Sequence, residues 1–330
     1  MNQEQIQPLG AETCPYVVLH GVDTLVINVR YTDEHGKATR ALLDEQFIPL
    51  LNEWQARAKV EEKPVPIPWT FQNVSFLMHP HGAGKGQWRW LLTSSKLDLA
   101  LGLGKLNGII AQVRCSSDYL WSCEDFATAV VEVSVFLYGL FGEHIALQPS
   151  EIHLCADIAK WDVPHADWSR TMLSRGRYRT EHATVDGGGS DDEACAACQH
   201  HTAQKHPHTG KHPATSLEAA PVAAYYGRNL ATLQFGSHGT ALSAVIYDKT
   251  REIRQKSRKL HFFDYWRDPT HDSAWDGESP VWRVEFRFKR DMLNEATDKA
   301  TFHGINDVYD LVERLSALWT YAAGHAIGRR

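Results

Sequence analysis

Between Trp282 and Lys289 the chain alternates strictly between apolar and charged side chains. Successive side chains of a β-strand point to opposite faces, so this period of two predicts a strand with one face in a core. The apolar face carries Trp282, Val284, Phe286 and Phe288, and the other face carries Arg283, Glu285, Arg287 and Lys289. The charged face is either a solvated cross-strand ladder of charges or part of a functional site.

The other segments predict an α+β fold. Strand-like runs punctuated by glycines fill residues 66–114, which indicates an antiparallel meander, and a further strand is predicted at Val22–Tyr31. Apolar residues at helical spacing predict helices at 39–60, bent near Pro49, and at 123–141 and 306–325. This order of elements predicts an antiparallel-rich central sheet with flanking helices.

Residues 184–221 differ from the rest of the chain in having almost no large apolar side chains. Such a segment cannot bury enough surface to offset its ordering entropy, so we predict an exposed, disordered insertion. It separates an N-terminal half, 1–183, from a C-terminal half, 222–330. Within it, Cys195 and Cys198 are followed by several histidines, a tract that can bind metal, although its spacing fits no standard zinc finger.

The bulk composition is that of an ordinary soluble protein. A formal net charge of −6 means that a role in binding nucleic acid requires a local basic patch. The chain starts with a polar segment that lacks the apolar stretch of a signal peptide, and its six cysteines are scattered, so we expect reduced thiols in the cytoplasm. The most apolar long segment, 126–147, carries two glutamates and is expected to be a core helix, with no membrane span.

The segment EIHLCADI, residues 151–158, is predicted to be a strand with a chemically active face. Its alternation places Ile152, Leu154, Ala156 and Ile158 on one face, and Glu151, His153, Cys155 and Asp157 on the other. The second set can bind a cation or move protons. The alternative is a polar face that meets only solvent.

The segment SAVIYDKTREI, residues 243–253, places Tyr247 and Lys249 where a strand turns into a helix. A lysine near the phenol would favour phenolate and lower a pKa that starts near about 10. Tyr247 is then a candidate nucleophile. The alternative is an ordinary half-buried strand aromatic.

The predicted helix after Tyr247 is strongly basic. From Lys249 to Trp266 there are six basic and two acidic residues, which gives the segment a net charge of +4. This density suits contact with a phosphate backbone, and the alternative is a solvated helix face. The aromatic residues that follow, in LHFFDYW, either stack on unpaired bases or anchor the helix in the core. The candidate DNA-binding residues here are Arg251, Arg254, Lys256 and Arg258.

Three segments in this order, EIHLCADIAKWD, LQFGSHGTALSAVIYDKTREI and VWRVEFRFKRDML, resemble the replication initiation factor family. That family belongs to rolling-circle plasmids, phages and integrative elements. Its members carry a strand like RIDLCVD, a hairpin and helix with IYDKxxE, and a strand with WRxE. The resemblance runs from Glu151 to the C-terminus, interrupted by the polar insertion.

The resemblance implies a fold related to that of relaxases and rolling-circle initiator nucleases. It also implies an endonuclease and strand transferase that nicks origin DNA, single-stranded or in a cruciform, through a 5′-phosphotyrosine. Host helicase and polymerase would be partners, and a homodimer is compatible with it. By motif, Tyr247 would be the nucleophile, Lys249 would contact the phosphate or favour the phenolate, and Arg283 would position the DNA backbone. Asp157, Glu285 and His153 would hold Mg²⁺ or Mn²⁺.

The chain departs from the family pattern at two positions, where Glu151 and His153 replace an arginine and an aspartate. Histidine can ligate Mn²⁺ but suits Mg²⁺ poorly. Tyr225 and Tyr226 remain alternative nucleophiles. Two other functions stay open: a DNA-binding regulator that keeps the fold without the chemistry, and a metal-binding accessory protein that uses the Cys/His tract.

Deleting residues 191–215 tests the last of these alternatives. Because the tract offers no apolar surface to a core, we expect the midpoint of thermal unfolding and any DNA-nicking activity to stay unchanged. Calorimetry and a plasmid-nicking assay measure both. Loss of folding or of activity would instead support a structural or functional metal site in the tract.

Overall fold

The computed structural model describes residues 14–32, 41, 43–106, 108–165, 171–172, 222–226, 229–236, 241–268, 275–295, 304–323 and 328–329. The predicted insertion at 184–221 and its Cys/His tract lie outside the described residues. Strands from both halves of the chain form one sheet, since the strand Ile145–Ala159 in the N-terminal half pairs with the strand Val281–Lys289 in the C-terminal half.

In the described part of the chain, eleven strands form the sheet, and every pair of neighbours is antiparallel, in the order β2-β3-β4-β5-β6-β1-β7-β12-β11-β10-β9. The strands are β1 (Tyr16–Tyr31), β2 (Val65–Phe71), β3 (Val74–Met78), β4 (Trp90–Thr93), β5 (Leu97–Leu106), β6 (Ile109–Cys115), β7 (Ile145–Ala159), β9 (Val222–Tyr226), β10 (Asn229–Phe235), β11 (Leu242–Asp248) and β12 (Val281–Lys289). Two short strands, β8 (Thr171–Met172) and β13 (Gly328–Arg329), pair separately.

Helices flank the sheet, so the predicted α+β class is confirmed. They are α1 (Ile48–Glu61), α2 (Ser117–Ser122), α3 (Phe126–Phe141), α4 (Lys249–Glu252), α5 (His261–Arg267), α6 (Arg290–Glu295), α7 (Val308–Glu313) and α8 (Leu315–Tyr321). Within the described residues, no helix has the length and apolar character needed to cross a membrane.

The main core lies on the apolar face of the central strands. Phe286 and Phe288 of β12 and Leu154 of β7 are buried there, and Phe286 meets Trp319 of α8 edge-on at 5.3 Å between ring centroids. The predicted alternation of β12 is therefore confirmed. A second apolar cluster covers one end of the opposite, charged face; its members include Leu19, Ile253, Phe262, Trp266, Trp275 and Val281.

Several predicted helices are shorter than their patterns indicated. The helix predicted at 123–141 is observed at Phe126–Phe141 and ends where Gly142 adopts a positive φ of 81°. Strand β7 begins at Ile145, so the apolar segment 126–147 is not helical to its end. Pro49 lies in the first turn of α1. The N–H groups of a first turn have no partner within the helix, so the absence of an N–H on proline costs no hydrogen bond there. It follows a π-helical turn at Leu43–Phe47.

The basic segment after β11 is two helical pieces rather than the single helix predicted. Helix α4 continues as a π-helical turn, Ile253–Ser257, and ends at Arg258, which takes a left-handed conformation with φ of 58°. The Arg258 amide donates to the Ile253 carbonyl at 3.0 Å, which closes the turn. The chain then reverses into α5, so that Phe262 and Trp266 pack on the sheet. The closing helix is likewise divided at Arg314.

Replacing Phe286 by alanine tests the assignment of the main core. Because Phe286 is 2% exposed on a central strand, we expect Phe286→Ala to lower the free energy of unfolding by about 3–5 kcal/mol. The matched control is Val135→Ala on α3, where the side chain is 65% exposed and the change should stay within about 0.5 kcal/mol. Urea unfolding measures both, and equal losses would contradict the assignment.

Candidate active site

Antiparallel register brings the predicted site residues together on the charged face of the sheet. Tyr247 of β11 lies opposite Arg283 of β12, which lies opposite Asp157 of β7. One step along, Glu285 faces Cys155, and one step further Arg287 faces His153. Directly opposite residues share a face, so these side chains point to the same side. The three predicted segments therefore meet in one place.

His153 lies between two carboxylates. Its Nδ1 is 2.9 Å from Oε1 of Glu285, and its Nε2 is 2.5 Å from Oε1 of Glu151. Burial by itself lowers the pKa of His153, but the hydrogen bonds to Glu151 and Glu285 outweigh it, and the net shift of the pKa is upward. Burial by itself raises the pKa of Glu285, but the hydrogen bonds and positive charges of His153 and Arg287 lower it by more. The net shift of this pKa is downward, so the carboxyl stays ionised.

Asp23 completes the group. One ligand atom from each of Asp23, His153 and Glu285 lies within 4.8 Å of the others, and we call these three residues the triad. Asp23 is on β1, at a bulge where the pairing with β7 shifts between Val22 and Thr24. A bulge re-aims a side chain, which is why a regular alternation does not place Asp23 in the site. Asp23 was not among the residues predicted from the sequence, where its one signal is an acidic residue within a β-branched strand.

The donor set of the triad fits a divalent cation in part. Two carboxylates and an imidazole suit Mn²⁺ better than Mg²⁺, which prefers oxygen ligands. Two ligands of one ion, each at about 2.1 Å, are at most about 4.2 Å apart, so a pair of these atoms at the 4.8 Å limit would have to close by at least about 0.6 Å to share an ion. Glu151 would accept the Nε2 proton of His153 and leave Nδ1 free for the ion, as carboxylates behind ligating histidines do.

Tyr247 adjoins the triad. Its hydroxyl donates to Oε2 of Glu285 at 3.3 Å. Burial and the Glu285 carboxylate raise the pKa of Tyr247 well above its usual value, against an opposing effect of Arg283. Lys249 does not reverse this shift, contrary to the sequence-based argument. Its ammonium is bound to Glu252 at 2.8 Å and lies 5.7 Å from the centroid of the Tyr247 ring, above the ring face.

Arg283 and Asp157 lie beside the triad and form an ion pair with each other. Arg283 is fully buried, so it has no surface to offer to a DNA backbone in this structure, contrary to the sequence-based expectation. Asp157 was expected to be a metal ligand. Its Oδ1 accepts from Nε of Arg283 at 2.6 Å, and its Oδ2 accepts from Nη2 at 2.8 Å. Both oxygens are thus occupied, and Asp23 takes the place expected for Asp157 near His153 and Glu285.

The basic segment presents an exposed cationic surface. Arg254, Lys256 and Arg258 are exposed, and none of them pairs with a carboxylate in the part of the chain that the structure describes. Arg254 lies 5.7 Å from the centroid of the Phe263 ring. Arg251 differs, because its Nε is 3.9 Å from Asp248, the residue that caps α4. We call Arg254, Lys256 and Arg258 the basic surface.

The alternative tyrosines lie elsewhere on the sheet. Tyr225 and Tyr226 are on β9, which β10 and β11 separate from β12. Three strand spacings amount to about 14 Å. Of the tyrosines considered from the sequence, Tyr247 is therefore the one on a strand next to β12.

Comparison with known proteins gives one weak structural match and no match in sequence. No protein-family model matches the chain, and no curated protein matches it. Among solved structures, a rolling circle replication initiator protein from Geobacillus stearothermophilus matches with a TM-score of 0.39 and 10% sequence identity. The match covers 94% of this chain and 86% of that one. A likeness this weak establishes neither the fold nor the function of this chain.

Proposed function

We propose that this protein nicks one strand of DNA and rejoins it through a covalent bond to Tyr247, with the help of a divalent cation held by the triad. The observation that carries the proposal is the 3.3 Å contact between the Tyr247 hydroxyl and Glu285, a carboxylate that also contacts His153. A hydroxyl nucleophile, a proton acceptor and a group of cation ligands thus share one face of four adjacent strands, β1, β7, β12 and β11. Phosphoryl transfer needs these parts in one place.

The cation would be Mn²⁺ or Mg²⁺, held by Asp23, His153 and Glu285. When bound, it would draw charge from the non-bridging oxygens of the scissile phosphate. Glu151 would fix the ring of His153 through Nε2. Arg287, whose Nε donates to Oε1 of Glu285 at 2.8 Å, would keep that carboxylate oriented.

The chemical step follows from the position of the phenol. The phenolic oxygen of Tyr247 forms a bond to phosphorus, and the bond between phosphorus and the 3′ oxygen breaks. The phenolic proton leaves along its hydrogen bond to Glu285 and passes on to solvent, so that this carboxylate stays ionised, and the departing 3′ oxygen takes up a proton from solvent to become a hydroxyl. The 5′-phosphate remains on the tyrosine until a 3′-hydroxyl attacks it and reverses the step. Because burial raises the pKa of Tyr247, a proton acceptor within hydrogen-bonding distance is needed.

The substrate would be DNA at an origin, in a single-stranded or cruciform region. The basic surface would hold the phosphate backbone without reading sequence. A freed 3′-hydroxyl is the end that a polymerase extends, so the same chemistry would start rolling-circle replication, with a host helicase and polymerase as partners. In this proposal Lys249 braces the ring of Tyr247 and reaches the phosphate only if it leaves Glu252.

A second candidate function is DNA binding without catalysis. One observation favours it: the triad is neutralised without a cation, because Arg283 binds Asp23, and His153 and Arg287 bind Glu285. A regulator of this kind would bind DNA with a strong dependence on salt and form no covalent adduct. The nicking enzyme forms a covalent adduct between Tyr247 and DNA, and the regulator does not. The following experiment detects that adduct.

Changing Tyr247 to phenylalanine tests the nucleophile. The variant keeps the ring but loses the attacking oxygen, so we expect it to lose nicking by at least about 10³-fold and to form no denaturant-stable adduct. Nicking of single-stranded origin DNA with Mn²⁺, followed by denaturing electrophoresis, measures both effects.

The matched control is Tyr309→Phe on α7, a 43% exposed tyrosine that should change nothing. The paired change of Tyr225 and Tyr226 to phenylalanine tests the alternative nucleophiles. Undiminished cleavage by Tyr247→Phe would remove Tyr247 from this role. A wild-type protein that binds DNA but never forms an adduct would support the regulator instead.

Neutralising the basic surface tests the DNA contact. With Arg254, Lys256 and Arg258 changed together to glutamine, we expect the slope of log affinity against log salt concentration to fall by about 2, at about 0.7 per lost contact to single-stranded DNA. Fluorescence anisotropy with a labelled oligothymidylate measures the slope. The control changes Arg57, Lys59 and Lys63, exposed cations on or next to α1, to glutamine. An equal effect in both triple variants would indicate general electrostatics rather than a defined surface.

A further inference from the structure

The guanidinium of Arg283 is buried, and each of its three nitrogens donates a hydrogen bond to a carboxylate. Its Nε and Nη2 bind the two oxygens of Asp157 at 2.6 and 2.8 Å, and its Nη1 binds Oδ1 of Asp23 at 2.5 Å. One edge of the planar group is thus clamped by Asp157, and the remaining nitrogen, Nη1, points at a residue of the triad. A bidentate clamp fixes the plane of a guanidinium, which a lysine ammonium cannot reproduce.

The clamp is itself held from the neighbouring helix. Nε1 of Trp266 donates to Oδ2 of Asp157 at 2.8 Å, and Phe262 lies 4.8 Å from the guanidinium carbon, measured to its ring centroid. Both aromatics belong to α5 and are fully buried. The hydrogen bonds therefore run without a break from Trp266 to Asp157, Arg283 and Asp23.

Stability alone is a poor explanation for this arrangement. A buried ion pair is often no more stabilising than apolar side chains of the same volume, because both charges lose their hydration. The position of Asp23, the last residue in this series of hydrogen bonds, offers a better explanation. Asp23 is the most exposed member of the triad, with 19% of its side chain accessible, and it comes from a bulge that leaves its direction unspecified by regular pairing.

We propose that Arg283 and Asp157 are positioning residues, which hold the Asp23 carboxylate in the place where the triad binds its cation. The proposal rests on the proposed function, since it takes the triad to be a cation site. Neither residue touches the cation. Arg283 acts through Asp23, and Asp157 acts through Arg283.

The experiment measures Mn²⁺ affinity by electron paramagnetic resonance on the full-length protein without DNA. Arg283→Lys keeps the buried positive charge but loses the bidentate clamp. We expect it to bind Mn²⁺ about 10- to 100-fold more weakly, the usual effect of losing a residue that orients a metal ligand. Nitrogen coupling from His153 to the bound Mn²⁺ should remain, because that ligand is untouched.

The matched control is Arg290→Lys, at the residue that follows β12. Arg290 is also anchored by hydrogen bonds, from Nη1 to the carbonyls of Pro149 and Ile305 at 2.7 Å each, but it contacts no member of the triad. Its Mn²⁺ affinity should equal that of the wild type. An equal loss in both variants would mean that Arg283 acts only through general stability, and the proposal would fall.

A double variant shows whether Arg283 acts through Asp23. If it does, Arg283→Lys combined with Asp23→Asn binds Mn²⁺ no more weakly than Asp23→Asn alone. Fully additive losses would overturn the proposal. Should Arg283→Lys fail to fold, Trp266→Phe removes the hydrogen bond at the far end together with part of the buried ring, and it should weaken Mn²⁺ binding by a smaller factor. Unchanged affinity in that variant would then count against the proposal.

Failure of the cation site itself has a different signature. If the wild type binds no Mn²⁺, or if Glu285→Gln and Asp23→Asn leave its affinity unchanged, the triad is not a cation site and both proposals fall. If those two variants lose Mn²⁺ but Arg283→Lys does not, the proposed function stands and the positioning role is wrong.

Discussion

The register between β7 and β12 is the constraint on which the candidate site depends. It sets Asp157 against Arg283, Cys155 against Glu285 and His153 against Arg287. A slip of one residue would turn every side chain of one strand to the opposite face, exposing the apolar core and separating the charges. The apolar face of β12 therefore specifies the site indirectly, because the packing of Phe286 and Phe288 against the main core fixes the register that brings the polar groups together.

The buried charged side chains on this face of the sheet are neutralised by one another. Asp157, Arg283 and Glu285 are each 3% exposed or less, and each has an oppositely charged neighbour. An unpaired charge at such positions would cost several kcal/mol, on the order of 3–5. The same balance is compatible with the proposed cation site, since an ion held by His153 and Glu285 would take the place of the proton between Nδ1 of His153 and the Glu285 carboxylate.

The local patterns of the sequence predicted much of this arrangement. The alternation of EIHLCADI and of WRVEFRFK correctly assigned His153, Asp157, Arg283 and Glu285 to polar faces, and the glycine-punctuated run at 66–114 correctly indicated a meander. Asp23 was missed because a bulge breaks the alternation on which such assignments rest. The basic helix was predicted too long because the left-handed turn at Arg258 has no glycine to mark it.

What the residue pattern alone determined is which side chains share a face, because the period of two is a property of a few consecutive residues. Which of those side chains meet was decided by tertiary structure, since the partners are distant in the chain: 126 residues separate Asp157 from Arg283, and 260 separate Asp23 from Arg283. The direction of the pKa shift at Tyr247 was decided there too. A nearby lysine in sequence suggested a lowered value, but burial and the adjacent Glu285 raise it, because desolvation and charge depend on three-dimensional neighbours.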